Sequence, residues 1–182
     1  MNSYNHFYHS FMESGKGIDK AMRIHPMTLE KAQEIQTWTY DEPYSLYSFT
    51  GDQEELLEFM NGSYFFVIDD KRNLIGYFCY GESAQVPAGH QVDAYEENFI
   101  DIGLGLHPNK AGKGTGLAFL KVGLAYAIEI NGFSNVRLTV ASFNRRAIKV
   151  YERAGFTYEK SFTNGSTNFN IMIKRNGNST HL

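Results

Sequence analysis

The apolar positions change their period several times along the chain, and each change marks an element. Leu29, Ala32, Ile35 and Gln36 fall at helical spacing behind Thr28, which predicts a helix capped by Thr28 and running to about Tyr40 before Pro43 stops it. Asp52 opens a shorter helix to Met60, with Leu56, Leu57 and Met60 as its apolar stripe. Tyr64 to Ile68 and Leu74 to Tyr80 are rich in aromatic and β-branched residues, and the polar run 69–73 between them predicts a hairpin. Met22 to Met27 reads as a strand ahead of the first helix. Residues 81–97 read as a long polar loop with Pro87 and Gly89, a kind of loop that often carries function.

The second half is more regular. Phe99 to Leu106 is a predicted strand, Leu117 to Ile130 a helix, Val136 to Val140 a strand and Asn144 to Ala154 a helix. Two last strands, Phe156 to Phe162 and Asn168 to Lys174, flank a turn at Asn164-Gly165. Alternating strand and helix implies at least one parallel pair, and the hairpin-like turns add antiparallel ones. The expected fold class is α/β (α+β mixed), a mixed sheet covered by helices on both faces. A single domain over 22–175 is expected, behind an N-terminal extension, 1–21, with no sustained period, and ahead of a polar tail, 176–182.

Composition narrows the function classes. With 182 residues, 42% of them apolar and 20% charged, the chain suits one globular core. Seventeen Lys and Arg against twenty Asp and Glu leave a net charge of -3, without the basic excess that a phosphate backbone requires, so nucleic acid is not the expected partner. Cys79 is the only cysteine, which excludes an internal disulfide and a Cys-rich zinc site, and its apolar neighbours make it a core residue. His6 and His9 lack carboxylates or cysteines at ligand spacing, so no metal is expected. No stretch has the ~18 to 20 apolar residues of a membrane span, and no secretory signal opens the chain. A cytoplasmic protein with no membrane partner is expected.

Chemistry concentrates at 101–116. Gly112, Gly114 and Gly116 lie between a strand ending near Leu106 and a helix starting near Leu117, with Lys110 and Lys113 beside them. Glycines let the backbone turn tightly and approach a ligand, and the first N–H groups of a helix point at whatever sits there. With the helix dipole, such a loop suits phosphate or pyrophosphate. The spacing is not a Walker loop. A dinucleotide fold is disfavoured too, because about 20 residues on, where an acid would hold ribose, stand Val136 and Arg137.

A second cluster, 144–156, places Asn144, Ala147, Ile148, Tyr151 and Ala154 on one helical face. In its Gly loop and its Asn-x-x-Ala-x-x-x-Tyr-x-x-x-Gly-Phe pattern, in this order, the chain resembles the GNAT superfamily of acyl-CoA-dependent N-acetyltransferases, with the order of elements matching over about residues 23–174. The resemblance implies a mostly antiparallel sheet with one splayed parallel strand pair, and acetyl-CoA as cosubstrate. Backbone N–H groups of Ala111, Gly112, Lys113, Gly114, Thr115 and Gly116 would hold the CoA pyrophosphate. The strand edge at Leu104, Gly105 and Leu106 would hold the pantetheine arm. Asn144 and Ala147 match cofactor-contacting positions, and Tyr151 matches the acid that protonates the departing thiolate. Ala111 departs from the basic or Gln residue usual at the head of the loop.

An amine of pKa ~10 must lose a proton before it attacks a thioester. Asp101 leads as the base, with Glu82, Glu96 and Glu97 as alternatives, or a water chain. The acceptor pocket of the family would draw here on Trp38, Tyr40, Asp41, Glu42, Tyr44 and Tyr47, and on Asp93, Tyr95, Glu96 and Glu97. Aromatic faces and carboxylates attract cations, so a small-molecule amine or an exposed amino group is the expected acceptor. The reaction expected is direct attack in a ternary complex, by a monomer or homodimer. A CoA-binding module without chemistry, or a binder of another phosphate ligand, are the alternatives; acceptor, acyl length and assembly stay open.

Overall fold

The computed structural model describes residues 22–132 and 135–175. The expected extension over 1–21 and the tail over 176–182 lie outside the described residues. Strand β1 (Arg23–Pro26) leads to helix α1 (Leu29–Ile35), a 3-10 turn over Ser45–Tyr47 and helix α2 (Gln53–Phe59). The hairpin β2 (Tyr64–Ile68) and β3 (Leu74–Tyr80) follows, then two 3-10 turns over Gly81–Ala84 and Pro87–Val92. Strand β4 (Ile100–Leu106), helix α3 (Gly116–Asn131), β5 (Val136–Ala141), α4 (Arg145–Arg153), β6 (Thr157–Asn164) and β7 (Thr167–Lys174) complete the chain. The seven strands form one sheet in the order β1-β2-β3-β4-β5-β7-β6. Every neighbouring pair is antiparallel except β4 and β5.

Local chemistry explains the borders. The Asp69 carboxylate accepts from the backbone N–H groups of Lys71 and Asn73, both at 2.9 Å, and so closes the predicted β2–β3 turn. Helix α1 stops earlier than its spacing suggests. The N–H of Trp38 reaches back to the Ile35 carbonyl at 2.9 Å, which sends the indole into a cluster with Ala32, Ile35, Phe59 and Leu74. The Tyr40 N–H then goes to Ser48 Oγ at 2.8 Å, so the chain from Trp38 to Tyr44 becomes a loop rather than helix.

The sheet is covered on both faces. Helices α3 and α4 pack on one face against Phe78, Ile102, Leu138 and Met172; the Phe78 and Phe119 rings stack at 4.4 Å. The other face carries α1 and α2 on its β1–β3 half. The stretch expected to be a long loop covers the β5–β7 half, with Val86, Ala88, Ala94 and Tyr95 packed against Phe162, Ile171 and Ile173. That stretch is wall.

Candidate active site

The sheet is open at its only parallel junction. β4 and β5 are paired at Ile100↔Val136 and Asp101↔Arg137, and no further paired residues follow among those described, although β4 continues to Leu106. The hydrogen-bond phase fixes which groups face that gap. His107 N–H donates to Ile75 O at 2.7 Å, and in an antiparallel pair such bonding recurs at every second residue, so Gly105 and Gly103 turn their polar groups toward β3. Leu104 and Leu106 turn theirs toward β5. The Leu106 carbonyl is taken by the Tyr40 hydroxyl at 2.7 Å, which leaves Leu104 and the Leu106 N–H open. Gly105 therefore contributes room in place of a hydrogen bond. A Cβ on it would run into the ring of Tyr77, its cross-strand neighbour.

Helix α3 begins at the far end of the gap, and its N-terminus is unlike the others. Thr28, Asp52 and Asn144 cap α1, α2 and α4 through side-chain oxygens that accept from Lys31 N, Glu55 N and Ala147 N. Thr115, at the head of the 16-residue α3, makes no such bond; its hydroxyl goes back to Lys110 O at 3.3 Å. The first N–H groups of α3 are left without an intrahelical partner or a cap. Gly112 and Gly114, at φ 74° and 80°, bend the preceding loop in a way other residues resist. The guanidinium of Arg146 lies over Gly112, where an added Cβ would stand 2.8 Å from Nη1. Uncapped amides, glycine turns and a guanidinium together fit a diphosphate.

Helix α4 closes the third side. Asn144 uses Oδ1 as the cap and donates from Nδ2 to the Tyr47 hydroxyl at 3.2 Å, tying the helix to the 3-10 turn over Ser45–Tyr47. Two turns on, Tyr151 is 7% exposed, and nothing among the described residues hydrogen-bonds its hydroxyl. Burial, with a smaller contribution from Tyr47, raises that hydroxyl well above the ordinary phenol range, so it keeps its proton at neutral pH. Burial also raises Tyr40, and raises Tyr47 despite the opposing hydrogen bond from Asn144. A cavity of about 450 Å³ joins these parts, from Gly112, Gly114 and Gly116 through Leu104 and Tyr151 to Tyr40, Tyr44 and Tyr47.

The family profile of the acetyltransferase (GNAT) family matches residues 29–156. The chain belongs to the GNAT acetyltransferase family. Solved structures agree on the fold. A GNAT-family acetyltransferase from Bacillus anthracis superposes with a TM-score of 0.65 at 16% identity, covering 86% of this chain and 95% of that one. A spermidine/spermine N-acetyltransferase from Vibrio cholerae, in complex with manganese ions, gives 0.59 at 20% identity over 85% and 92%. A dodecameric spermidine N-acetyltransferase from the same organism gives 0.59 at 21% identity over 85% and 93%. No curated protein matches significantly. The acetyltransferase thus has the mixed sheet and single open parallel pair expected of its family.

Of the residues expected to form the GNAT site, the cavity brings together Leu104, Gly105, Leu106, Ala111, Gly112, Gly114, Gly116, Asn144, Ala147 and Tyr151, with Tyr40, Tyr44 and Tyr47 opposite. Lys113 is exposed and, with Thr115, does not line it. Glu96 and Glu97 are exposed and off the cavity as well; Glu97 Oε2 pairs with Arg175 Nη1 at 3.1 Å. Asp101, expected as the base, is not on the cavity. Parallel register sets Arg137 directly across from it on the same face, and the guanidinium takes both carboxylate oxygens, Nε to Oδ1 at 2.6 Å and Nη2 to Oδ2 at 2.8 Å. Gln85 Nε2 adds a third bond at 2.7 Å. The pair closes the gap at its narrow end.

Five lining residues with polar side chains were not anticipated. Arg146, Lys149 and Arg153 line the cavity, Arg146 over Gly112, and their spacing of three and four on α4 was the available signal. Arg146 also lies 4.0 Å over the Tyr44 ring. Tyr77 and Thr139 line the cavity too; both read as interior strand residues, and only the Gly103-x-Gly105 gap opposite them hints at a space. Among the described residues, no His, Cys, Asp and Glu group forms a metal-binding cluster, and no helix is long and apolar enough to cross a membrane.

Proposed function

We propose that this GNAT acetyltransferase uses acetyl-CoA to acetylate a primary amine of a small molecule or an exposed amino group, by direct attack with both substrates bound. The observation that carries the reading is the meeting of an uncapped α3 N-terminus, an open strand gap and Tyr151 in one cavity. Acetyl-CoA supplies the activated acyl group and a thiolate leaving group.

The backbone N–H groups of Gly112 to Gly116, with Arg146, Lys149 and Arg153 alongside, hold the phosphates by charge-assisted hydrogen bonds. The free polar groups of Leu104 orient the amide arm as an added strand would. Tyr151 holds its proton at Oη and acts on the departing sulfur as hydrogen-bond donor and proton source. Being neutral up to strongly alkaline pH, it is competent wherever the amine is reactive. The tyrosines of the 40–47 segment shape the acceptor side. The fold shared with spermidine N-acetyltransferases supports transfer to nitrogen.

The test is thiol release from acetyl-CoA in the presence of a panel of amines, with acetyl-CoA binding followed by calorimetry. Protein-dependent release with at least one amine is expected. Tight binding of CoA with no release across the panel would make the protein a CoA-binding module instead.

A further inference from the structure

Strand β5 gives the cavity two residues, Thr139 and Val140, and only Thr139 brings a polar side chain. Alternation along the strand puts it on the face of Arg137, under the 81–97 stretch, whereas Tyr151 lines the cavity from the face of α3 and α4. Among the described residues Arg137 and Asp101 are the last paired positions of β5 and β4, so Thr139 and Gly103, each two residues on, flank the gap where it starts to open. The α3 N-terminus stands at the opposite end, beyond Leu106. An arm held there and laid along Leu106 and Leu104 runs toward the closed end, and the acyl group at its tip arrives beside Thr139.

The hydroxyl of Thr139 has a fixed polarity. Tyr95, from the 81–97 stretch, sets its Oη 2.9 Å from Thr139 Oγ1 and accepts there from the Val86 N–H at 3.0 Å. A backbone N–H can only donate, so the phenol proton needs an acceptor of its own, and among the described residues Thr139 Oγ1 is the one within reach. The reverse order, with Thr139 donating, would leave that phenol proton without a partner in a half-buried site. Burial keeps the proton on Tyr95 by raising the hydroxyl above the ordinary phenol range. The ring of Tyr95 is held in place as well. It rests on Gly89, where an added Cβ would stand 2.6 Å away, and under the Arg137 guanidinium at 5.0 Å. With Oγ1 accepting from Tyr95, the Thr139 proton is left to donate into the cavity, and donation in sequence strengthens it.

We infer, on the transferase reading above, that Thr139 is a catalytic residue whose hydroxyl donates to the carbonyl oxygen of the acyl thioester, and that Tyr95 is the positioning residue that aims it. As the amine nitrogen forms the C–N bond, the carbonyl electron pair moves onto oxygen, where the Thr139 proton meets the growing charge. The pair returns as the C–S bond breaks, and Tyr151, on the opposite face, gives its proton to sulfur. The proton shed by nitrogen balances that one, and Thr139 keeps its own throughout. A donor oriented before the substrate arrives needs no rearrangement during the reaction, which is what makes one hydroxyl worth about 100-fold in rate.

The experiment compares Thr139→Val, Thr139→Ser and Tyr95→Phe with the parent protein. It reads kcat with a responsive amine, acetyl-CoA affinity by calorimetry, and the infrared band of carbonyl-labelled acetyl-CoA bound without acceptor. Thr139→Val nearly keeps the side chain's shape, and should lower kcat about 100-fold with affinity little changed and the carbonyl band moved to higher frequency. Thr139→Ser should restore both kcat and band. Tyr95→Phe should move both part of the way, and adding it to Thr139→Val should cost little more. A Thr139→Val variant with parental kcat and band, or one that loses affinity and keeps kcat, overturns the inference while leaving the transferase reading intact. Failure of the parent protein to transfer to any amine would end the transferase reading, and the band of bound acetyl-CoA would still show whether Thr139 holds the oxygen.

Discussion

Asp101→Asn separates a structural carboxylate from a catalytic one. The change keeps the side chain's shape and removes its charge, leaving the Arg137 guanidinium in a site where the two side chains are only 3% and 4% exposed. At that depth solvent screens little, and removing one partner of a buried pair costs about 3–5 kcal/mol because the other charge stays uncompensated. Arg137 retains the Glu97 and Tyr95 carbonyls at 3.3 and 3.5 Å and the Tyr95 and Phe99 rings at 5.0 and 5.3 Å, which argues for the lower end, about 3 kcal/mol. For a domain of this size that is a fall in Tm of about 6–12 °C. Urea unfolding followed by the fluorescence of Trp38, the single tryptophan, should show a lower midpoint with an unchanged slope. Asp101→Leu combined with Arg137→Met, which leaves no charge behind, should recover much of the loss. The reasoning is refuted if Asp101→Asn is as stable as the parent protein while its turnover collapses and its kcat/KM profile loses an acidic limb.

Three further outcomes follow from the same geometry. Tyr151→Phe should lower kcat by about 100-fold or more while acetyl-CoA affinity, read by calorimetry, changes little; an unchanged kcat removes Tyr151 from the chemistry. Arg146→Ala should raise the KM for acetyl-CoA with kcat nearly constant, since the guanidinium over Gly112 serves binding, and the effect should shrink at high salt. In an alkaline titration followed by phenolate absorbance, Tyr40, Tyr64, Tyr77, Tyr80 and Tyr151 should stay protonated past pH ~10 in the native protein, burial being the first cause of each raised value. The unfolded chain loses those protons first, so it binds fewer protons than the native state, and stability should decline as pH climbs above about 10.

What the sequence disclosed, and what it withheld, divides along local and non-local physics. The β2–β3 turn, the glycine loop and the Asn144 cap are written in consecutive residues, because each is a backbone conformation satisfied by its neighbours. The side chains of the α4 face at 144, 147 and 151 were legible for the same reason. Asp101 was not: strand alternation puts it on the acceptor face, but its fate depends on Arg137, 36 residues away, and on parallel register. Gly105 was read as part of a hydrogen-bonding edge, and only the phase set by His107 and Ile75 shows that its polar groups face the other strand. Tyr77 and Thr139 had the pattern of ordinary strand interiors. The loop 81–97, polar in composition, packs as wall because Val86, Ala94 and Tyr95 each find an apolar partner across the sheet.

The central claim is that the α3 N-terminus and the β4–β5 gap form one acyl-CoA site, and a crystal structure with CoA bound tests it most directly. The diphosphate should lie on the N–H groups of Gly112 to Gly116, the amide arm beside Leu104, and the sulfur within hydrogen-bonding reach of Tyr151 Oη. CoA seated elsewhere on the folded protein, or β4 and β5 paired to their ends with the gap shut, would contradict it.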